Sequence, residues 1–162
     1  MVDYCASDSH NKPRQADQIS ARSSLQFSRC AVRYVRMIMD WSEMSVFEGV
    51  DLNDSFILGW TQDGGRLAFY IEASIWPASK YYSTPKAGEY TCYRKAVLEF
   101  VGSIEIIGLR PIELTPSSSD PDGSKDYGNI DSLMALDNGF RLTGDFGDVS
   151  IKGGELRFEI HT

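Results

Sequence analysis

The sequence predicts an all-β domain, an antiparallel β-sandwich or flattened barrel of about eight strands, preceded by a poorly structured N-terminal extension. Three observations carry that expectation. Apolar residues recur with period two almost everywhere after Met44, turn residues punctuate the runs, and no convincing helical period lies between them. At 162 residues the chain holds one domain with a sizeable core. The apolar share of 42% and charged share of 24% are ordinary for a globular protein. Burial at about 25 cal/mol per Å² then offsets chain entropy without disulfides.

Residues 1–43 differ from the rest: Ser, Gln, Asn and Asp interleave with arginines, and no apolar period persists before Ala31. Ala31 to Trp41 places Val32, Val35 and Met39 roughly on one face and predicts a short helix. Met44-Ser-Val-Phe reads as a translation start leading into the first strand, so 1–43 is expected to be a dispensable extension or a misassigned start, and 44–162 a single β domain. The opening residues lack a basic segment followed by an apolar one, and no apolar run approaches the ~18 residues that cross a bilayer. The expectation is a cytoplasmic protein without a membrane association.

The body begins with a short strand at Val46–Val50. Ser55–Thr61 and Arg66–Trp76 follow as a hairpin around Asp63-Gly64-Gly65, with Phe56, Leu58 and Trp60 on one face of the first arm and Leu67, Phe69, Ile71, Ala73 and Ile75 on one face of the second. Pro77–Glu89, with two prolines and adjacent tyrosines, predicts a long surface loop. Tyr90–Val101 is strand with Ala96, Leu98 and Phe100 inward, and Gly102-Ser103 is expected to turn the chain into Ile104–Arg110. Pro111–Asn129 is a second long loop. Ile130–Asp137 and Phe140–Asp145 are joined by Asn138-Gly139, the pair favoured in type I′ turns, and Val149–Ile151 and Glu155–His161 close the domain around Gly153-Gly154.

Charge restricts the function. Residues 1–43 carry six basic and five acidic residues, leaving ten basic and eighteen acidic in 44–162, and the whole chain has a net charge of −7. That balance argues against nucleic acid and favours a basic protein partner. Cys5, Cys30 and Cys92 share no metal-ligand spacing and read as reduced thiols. No cofactor is called for.

Three groups of residues are candidate sites. The aromatic cluster Trp76, Tyr81, Tyr82, Tyr90 and Tyr93 brackets the first loop, surrounded by Lys80, Lys86, Arg94 and Lys95, the one basic area of an acidic body. Such aromatics stack on sugars or anchor a protein; equally, they pack the loop onto the sheet. Asp51 and Asp54, with Ser55 and Glu72, offer carboxylates for acid–base chemistry or, alternatively, side chains that cap a turn. In Asp120–Asp131, the residues Asp120, Asp122, Ser124, Asp126 and Asp131 are spaced as in a twelve-residue calcium loop. Lys125 stands where that loop needs glycine, Asp131 replaces the longer glutamate and no helices flank it, so a solvated acidic loop is the competing reading. No Ser-His-Asp or Cys-His set is apparent, since His161 ends the chain and Cys92 has no evident base. Gly144-Asp-Phe-Gly147 shares letters with the kinase metal-binding triplet and none of its context.

Three phrases, Asp51-Leu-Asn-Asp-Ser before a strand ending in Trp60, Asp126-Tyr-Gly-Asn-Ile-Asp131, and Gly144-Asp-Phe-Gly147, resemble a group of small uncharacterised bacterial proteins, some linked to immunity functions of polymorphic-toxin systems. The resemblance covers 44–162. It implies a bacterial, cytoplasmic, all-β protein that neutralises a toxin by binding, and it carries no catalytic residues. The leading expectation is therefore a non-enzymatic acidic binding domain for a basic protein. The alternative is a carbohydrate- or metal-binding β-sandwich module. A monomer or an edge-paired dimer is expected, since an uncapped edge strand pairs chains.

Overall fold

A computed structural model of the chain describes residues 38–119 and 123–161. The long runs of alternating residues form antiparallel strands: β1 (Met39–Asp40), β2 (Val50–Asp63), β3 (Arg66–Ile75), β4 (Cys92–Leu109), β5 (Ser118–Ser119), β6 (Lys125–Asp126), β7 (Ile130–Leu136), β8 (Gly139–Gly144) and β9 (Gly147–Ile160). Seven of them make one sheet in the order β1-β7-β8-β9-β4-β3-β2, and β5 pairs with β6 separately. The all-β, antiparallel class read from the sequence is thus the observed one. No helix among the described residues is long and apolar enough to cross a membrane.

The sheet curls until β2 meets the segment entering β7. Ile57 N donates to the Gly128 carbonyl (2.7 Å) and Tyr127 N donates to the Ile57 carbonyl (2.8 Å). Two hydrogen bonds are not a ladder, so the barrel stays open at this seam. Enclosed by the curl is the apolar core, with Leu52, Ile57, Leu67, Phe69, Leu98, Phe100, Leu142 and Phe146 fully buried.

The alternation in β3 and β4 is as expected: Leu67, Phe69, Ile71, Ala73 and Ile75 point inward, as do Ala96, Leu98 and Phe100. In β2 the expected inward face is corrected. Ile57 is buried while Phe56 and Leu58 are half-buried, because a bulge between Ile57 and Gly59 inserts Leu58 and reverses the parity, returning Trp60 to the core. Val46 lies in a 3₁₀ turn (Ser45–Phe47) that seats Phe47 in the core, so the expected strand at Val46–Val50 starts only at Val50.

Gly102-Ser103 does not turn the chain, and Gly153-Gly154 does not end a strand. Both lie inside long strands, β4 of eighteen residues and β9 of fourteen, which run side by side through both halves of the sheet. The register shifts between Ser103 and Glu105, and Gly102 and Gly154 adopt positive φ (78° and 85°), so the pair bends where four strands on one side give way to the others. Ser103 Oγ, buried at this bend, has no hydrogen-bond partner among the described residues.

Ahead of the body, β1 pairs with β7, Asp40 and Glu43 form a capping box on Trp41–Glu43, and Trp41 packs edge-on against Phe47 with centroids 6.4 Å apart. The described structure therefore begins before Met44. The expected helix at Ala31–Trp41 lies largely outside the described residues, and from Met39 its end is strand followed by 3₁₀ turn; residues 1–30 of the expected extension are also outside them.

On the outer face Arg141 of β8 forks onto Asp148 of β9, with Nε–Oδ1 at 2.8 Å and Nη2–Oδ2 at 2.6 Å. This hydrogen-bonded guanidinium holds the Asp148 carboxyl below its ordinary value. A depressed carboxylate contributes stability that is present above its unfolded pKa and lost as pH falls through the folded one. A side-chain NMR titration should place the Asp148 midpoint below that of an unpaired aspartate, and Arg141→Ala should raise it. A midpoint at or above the ordinary value would refute the pairing. Because both side chains are more than half exposed, the effect on overall stability should be small.

Candidate functional site

The loop between β3 and β4 folds back over the end of the sheet. Trp76 N donates to the Gly49 carbonyl (2.8 Å), Ser79 N to the Trp76 carbonyl (2.9 Å) and Tyr82 N to the Ser79 carbonyl (3.1 Å), which sets Lys80, Tyr81 and Tyr82 above the start of β4. Tyr93 and Lys95 share the outward face of β4, whereas Arg94 has the inward parity of Ala96 and Leu98 and at the strand's open end turns into the loop. Its Nε donates to the Tyr81 carbonyl (3.3 Å) and its Nη2 to Ser83 Oγ (2.7 Å). The result is an open hollow of about 840 Å³ whose walls include Tyr81, Tyr82, Tyr93, Lys80, Arg94 and His161.

Within it the cations are not equivalent. Lys95 is paired with Glu72 (3.3 Å) and Lys86 with Glu89 (3.5 Å). Lys80 and Arg94 have no carboxylate partner among the described residues; Lys80 Nζ lies 4.9 Å from the centroid of the Tyr81 ring, and Arg94 holds the carbonyl of that same residue. Tyr93 packs on Phe56 with centroids 5.4 Å apart. Burial pushes its phenol above the ordinary tyrosine range, and the nearby Asp54, Glu72 and Glu89 push the same way, so it remains a neutral donor at any physiological pH.

Of the five aromatics singled out from the sequence, Tyr81, Tyr82 and Tyr93 thus share one hollow. Trp76 (55% exposed) and Tyr90 (fully exposed) are not part of its walls. Sequence reading did not include His161 in this cluster: it is distant in the chain, and only the pairing of β9 with β4, extended by a bond from His161 N to the Lys95 carbonyl (2.8 Å), brings it there.

Asp51 serves the backbone and Asp54 a neighbouring serine. Asp51 Oδ1 accepts from Asn53 N (2.9 Å) and Asp54 N (3.2 Å), its carbonyl accepts from Ser55 Oγ, and Asp54 Oδ2 accepts from Ser74 Oγ (3.2 Å). Buried Ser55 in turn accepts from Ser74 N (3.0 Å). These bonds hold the bulge where Asp51 faces Ser74 and Phe56 faces Glu72, which is the turn-capping reading of these carboxylates. Glu72 belongs instead to the basic hollow through Lys95.

Of the calcium-loop candidates, Asp120 and Asp122 lie outside the described residues. Ser124 is half-buried. Asp126 Oδ1 accepts from Gly128 N (2.8 Å), a local turn, and Asp131 Oδ1 lies 3.5 Å from its donor Asn129 Nδ2. Among the described residues no three His, Cys, Asp or Glu side chains gather as a metal set. Cys92 is a buried free thiol whose sulfur receives Ser83 N at 3.4 Å.

The three phrases quoted for the resemblance converge in space. Asn53 Nδ2 donates to the carbonyls of Ile130 and Asp131 (3.0 Å each), and Asn129 Nδ2 donates back to the Asn53 carbonyl (3.0 Å). Beneath that exchange Trp60, Tyr127 and Phe146 pack ring to ring, with Trp60 5.3 Å from Tyr127 and 6.2 Å from Phe146. Together they make the seam that joins β2 to β7 and β8, a structural role for all three. No protein-family model, curated protein or solved structure matches the chain. A second hollow, of about 630 Å³ and unforeseen in the sequence, lies outside β7, β8, β9 and β4 against Ile38, Ile107 and Leu136, all of them exposed.

Proposed function

We propose that this chain is a non-enzymatic binding domain of the bacterial cytoplasm whose acidic surface engages a basic protein partner, in the manner of immunity-type proteins. The observation that carries the reading is the partition of charge. Four of the ten basic residues of 44–162 stand at the tyrosine hollow with two of the eighteen acidic ones, Glu72 and Glu89, so six bases and sixteen acids remain in the rest of 44–162. A field of one sign over most of a domain accelerates encounter with a partner of the other sign. In support, the candidate carboxylates Asp51 and Asp126 cap local turns, Asp54 accepts from the Ser74 hydroxyl of the neighbouring strand, and the Cys92 thiol is buried beside a serine.

The test is capture from lysate of the source cell with the full tagged chain at low and at high salt. One basic protein, retained at about 50 mM salt and at least tenfold depleted near 500 mM, is the expected result, because the Debye length falls from above 10 Å to a few ångströms over that range. Capture of acidic proteins only, or retention indifferent to salt, would overturn the reading.

A further inference from the structure

We propose that the tyrosine hollow at the β3–β4 loop is a separate binding site for an anionic sugar, a ring carrying a carboxylate or a phosphate. The inference is independent of the acidic surface, since it concerns the part of the molecule where basic residues dominate. Two cations without carboxylate partners among the described residues are fixed on a single residue: Lys80 lies over the ring of Tyr81, and Arg94 is pinned to the carbonyl of Tyr81 and to Ser83 through Nε and Nη2. Nη1 of Arg94 makes neither of those bonds. An arginine held in this way meets an anionic oxygen with little further loss of side-chain freedom. Its neighbours Lys86 and Lys95 are already neutralised by Glu89 and Glu72, which confines the attraction for an anion to the Tyr81 corner.

The aromatic walls define the rest of the ligand. Tyr82 is exposed, and Tyr81 and Tyr93 are half-buried, so the hollow offers apolar ring faces edged with phenol hydroxyls. That combination suits the C–H face and hydroxyl rim of a sugar. Room is available, because Lys80 and Tyr81 also line an adjoining hollow of about 480 Å³ beside Val46 and Phe158, and a ligand longer than one ring can continue across them.

Isothermal titration of the full chain with glucuronate, glucose 6-phosphate, glucose and inorganic phosphate tests this, with heteronuclear NMR shifts to locate the binding. Both anionic sugars should bind, with shifts at Tyr81, Tyr82, Arg94 and His161, and each should bind at least about tenfold more tightly than glucose or inorganic phosphate. Binding of only one anionic sugar also supports the site and identifies carboxylate or phosphate as the group it takes. Lys80→Ala, an exposed change that leaves the loop bonds of Arg94 in place, should weaken binding at least about tenfold, and Tyr90→Ala, outside the hollow, should leave it unchanged. Three results would each overturn the proposal: no binding by either anionic sugar, inorganic phosphate binding as well as glucose 6-phosphate, or indifference to Lys80→Ala.

Discussion

Phe146→Ala is expected to lower the unfolding free energy by about 3–5 kcal/mol, seen as a large drop in the urea midpoint at unchanged slope. The residue occupies the two-residue connection between β8 and β9, where Gly144 faces Gly147, yet it is fully buried. Its ring is 4.8 Å from Phe69 and 6.2 Å from Trp60, and Trp60 continues the stack to Tyr127. A turn residue therefore plugs the core just where, among the described residues, two backbone-to-backbone hydrogen bonds join the seam. Truncation would leave a cavity that the rigid turn cannot collapse into, so a cavity cost adds to the lost burial. Since domains of this size are stable by about 5–15 kcal/mol, much of the fold's margin is at stake. Phe140→Ala, at a half-buried ring 5.1 Å from Phe100, should cost less. Should Phe146→Ala cost no more than Phe140→Ala, the seam is not held by its aromatic stack.

What could be read from the sequence follows from where period two is unbroken. Leu67 to Ile75 and Ala96 to Phe100 keep strict alternation, and both were placed on the correct face. Phe56 and Leu58 were not, because an inserted residue reverses parity without changing composition. Gly102-Ser103 and Gly153-Gly154 have turn composition but oppose each other across β4 and β9, so each glycine-containing pair bends a ladder whose partner strand supplies the missing information. The hollow was legible to the same degree. Tyr81, Tyr82 and Arg94 are near in sequence and meet through one loop; His161 enters through a pairing more than sixty residues distant, and Trp76 and Tyr90 were included only because they flank that loop. The seam was legible as three phrases whose meeting no local pattern announces.

Gly139→Ala is the second large expected effect, and it separates two readings of Asn138-Gly139. As the centre of a type I′ turn, Gly139 would be needed only for its φ. The hairpin register is different: Leu136 pairs with Gly139, so Asp137 and Asn138 are the central residues, and Gly139 is already in β8. There it has φ 145° and lies so near β9 that an added Cβ would fall 1.9 Å from the Ile151 carbonyl oxygen and 3.0 Å from Gly153 N. Both are backbone atoms of the neighbouring strand and cannot swing aside like a side chain. Alanine must therefore push β8 from β9, breaking contacts beside the bond from Gly153 N to the Asn138 carbonyl (2.7 Å). The strained φ alone costs about 1–3 kcal/mol, and the displaced ladder should bring the loss to about 3 kcal/mol or more, with amide exchange accelerated first along β7 and β8. Gly88→Ala supplies the comparison. With φ 93° and nothing within 4 Å of the added Cβ, it bears the conformational cost without the collision. Equal losses for the two variants would mean that the φ alone requires glycine at 139; a clearly larger loss at Gly139 means that the close approach of β9 requires it.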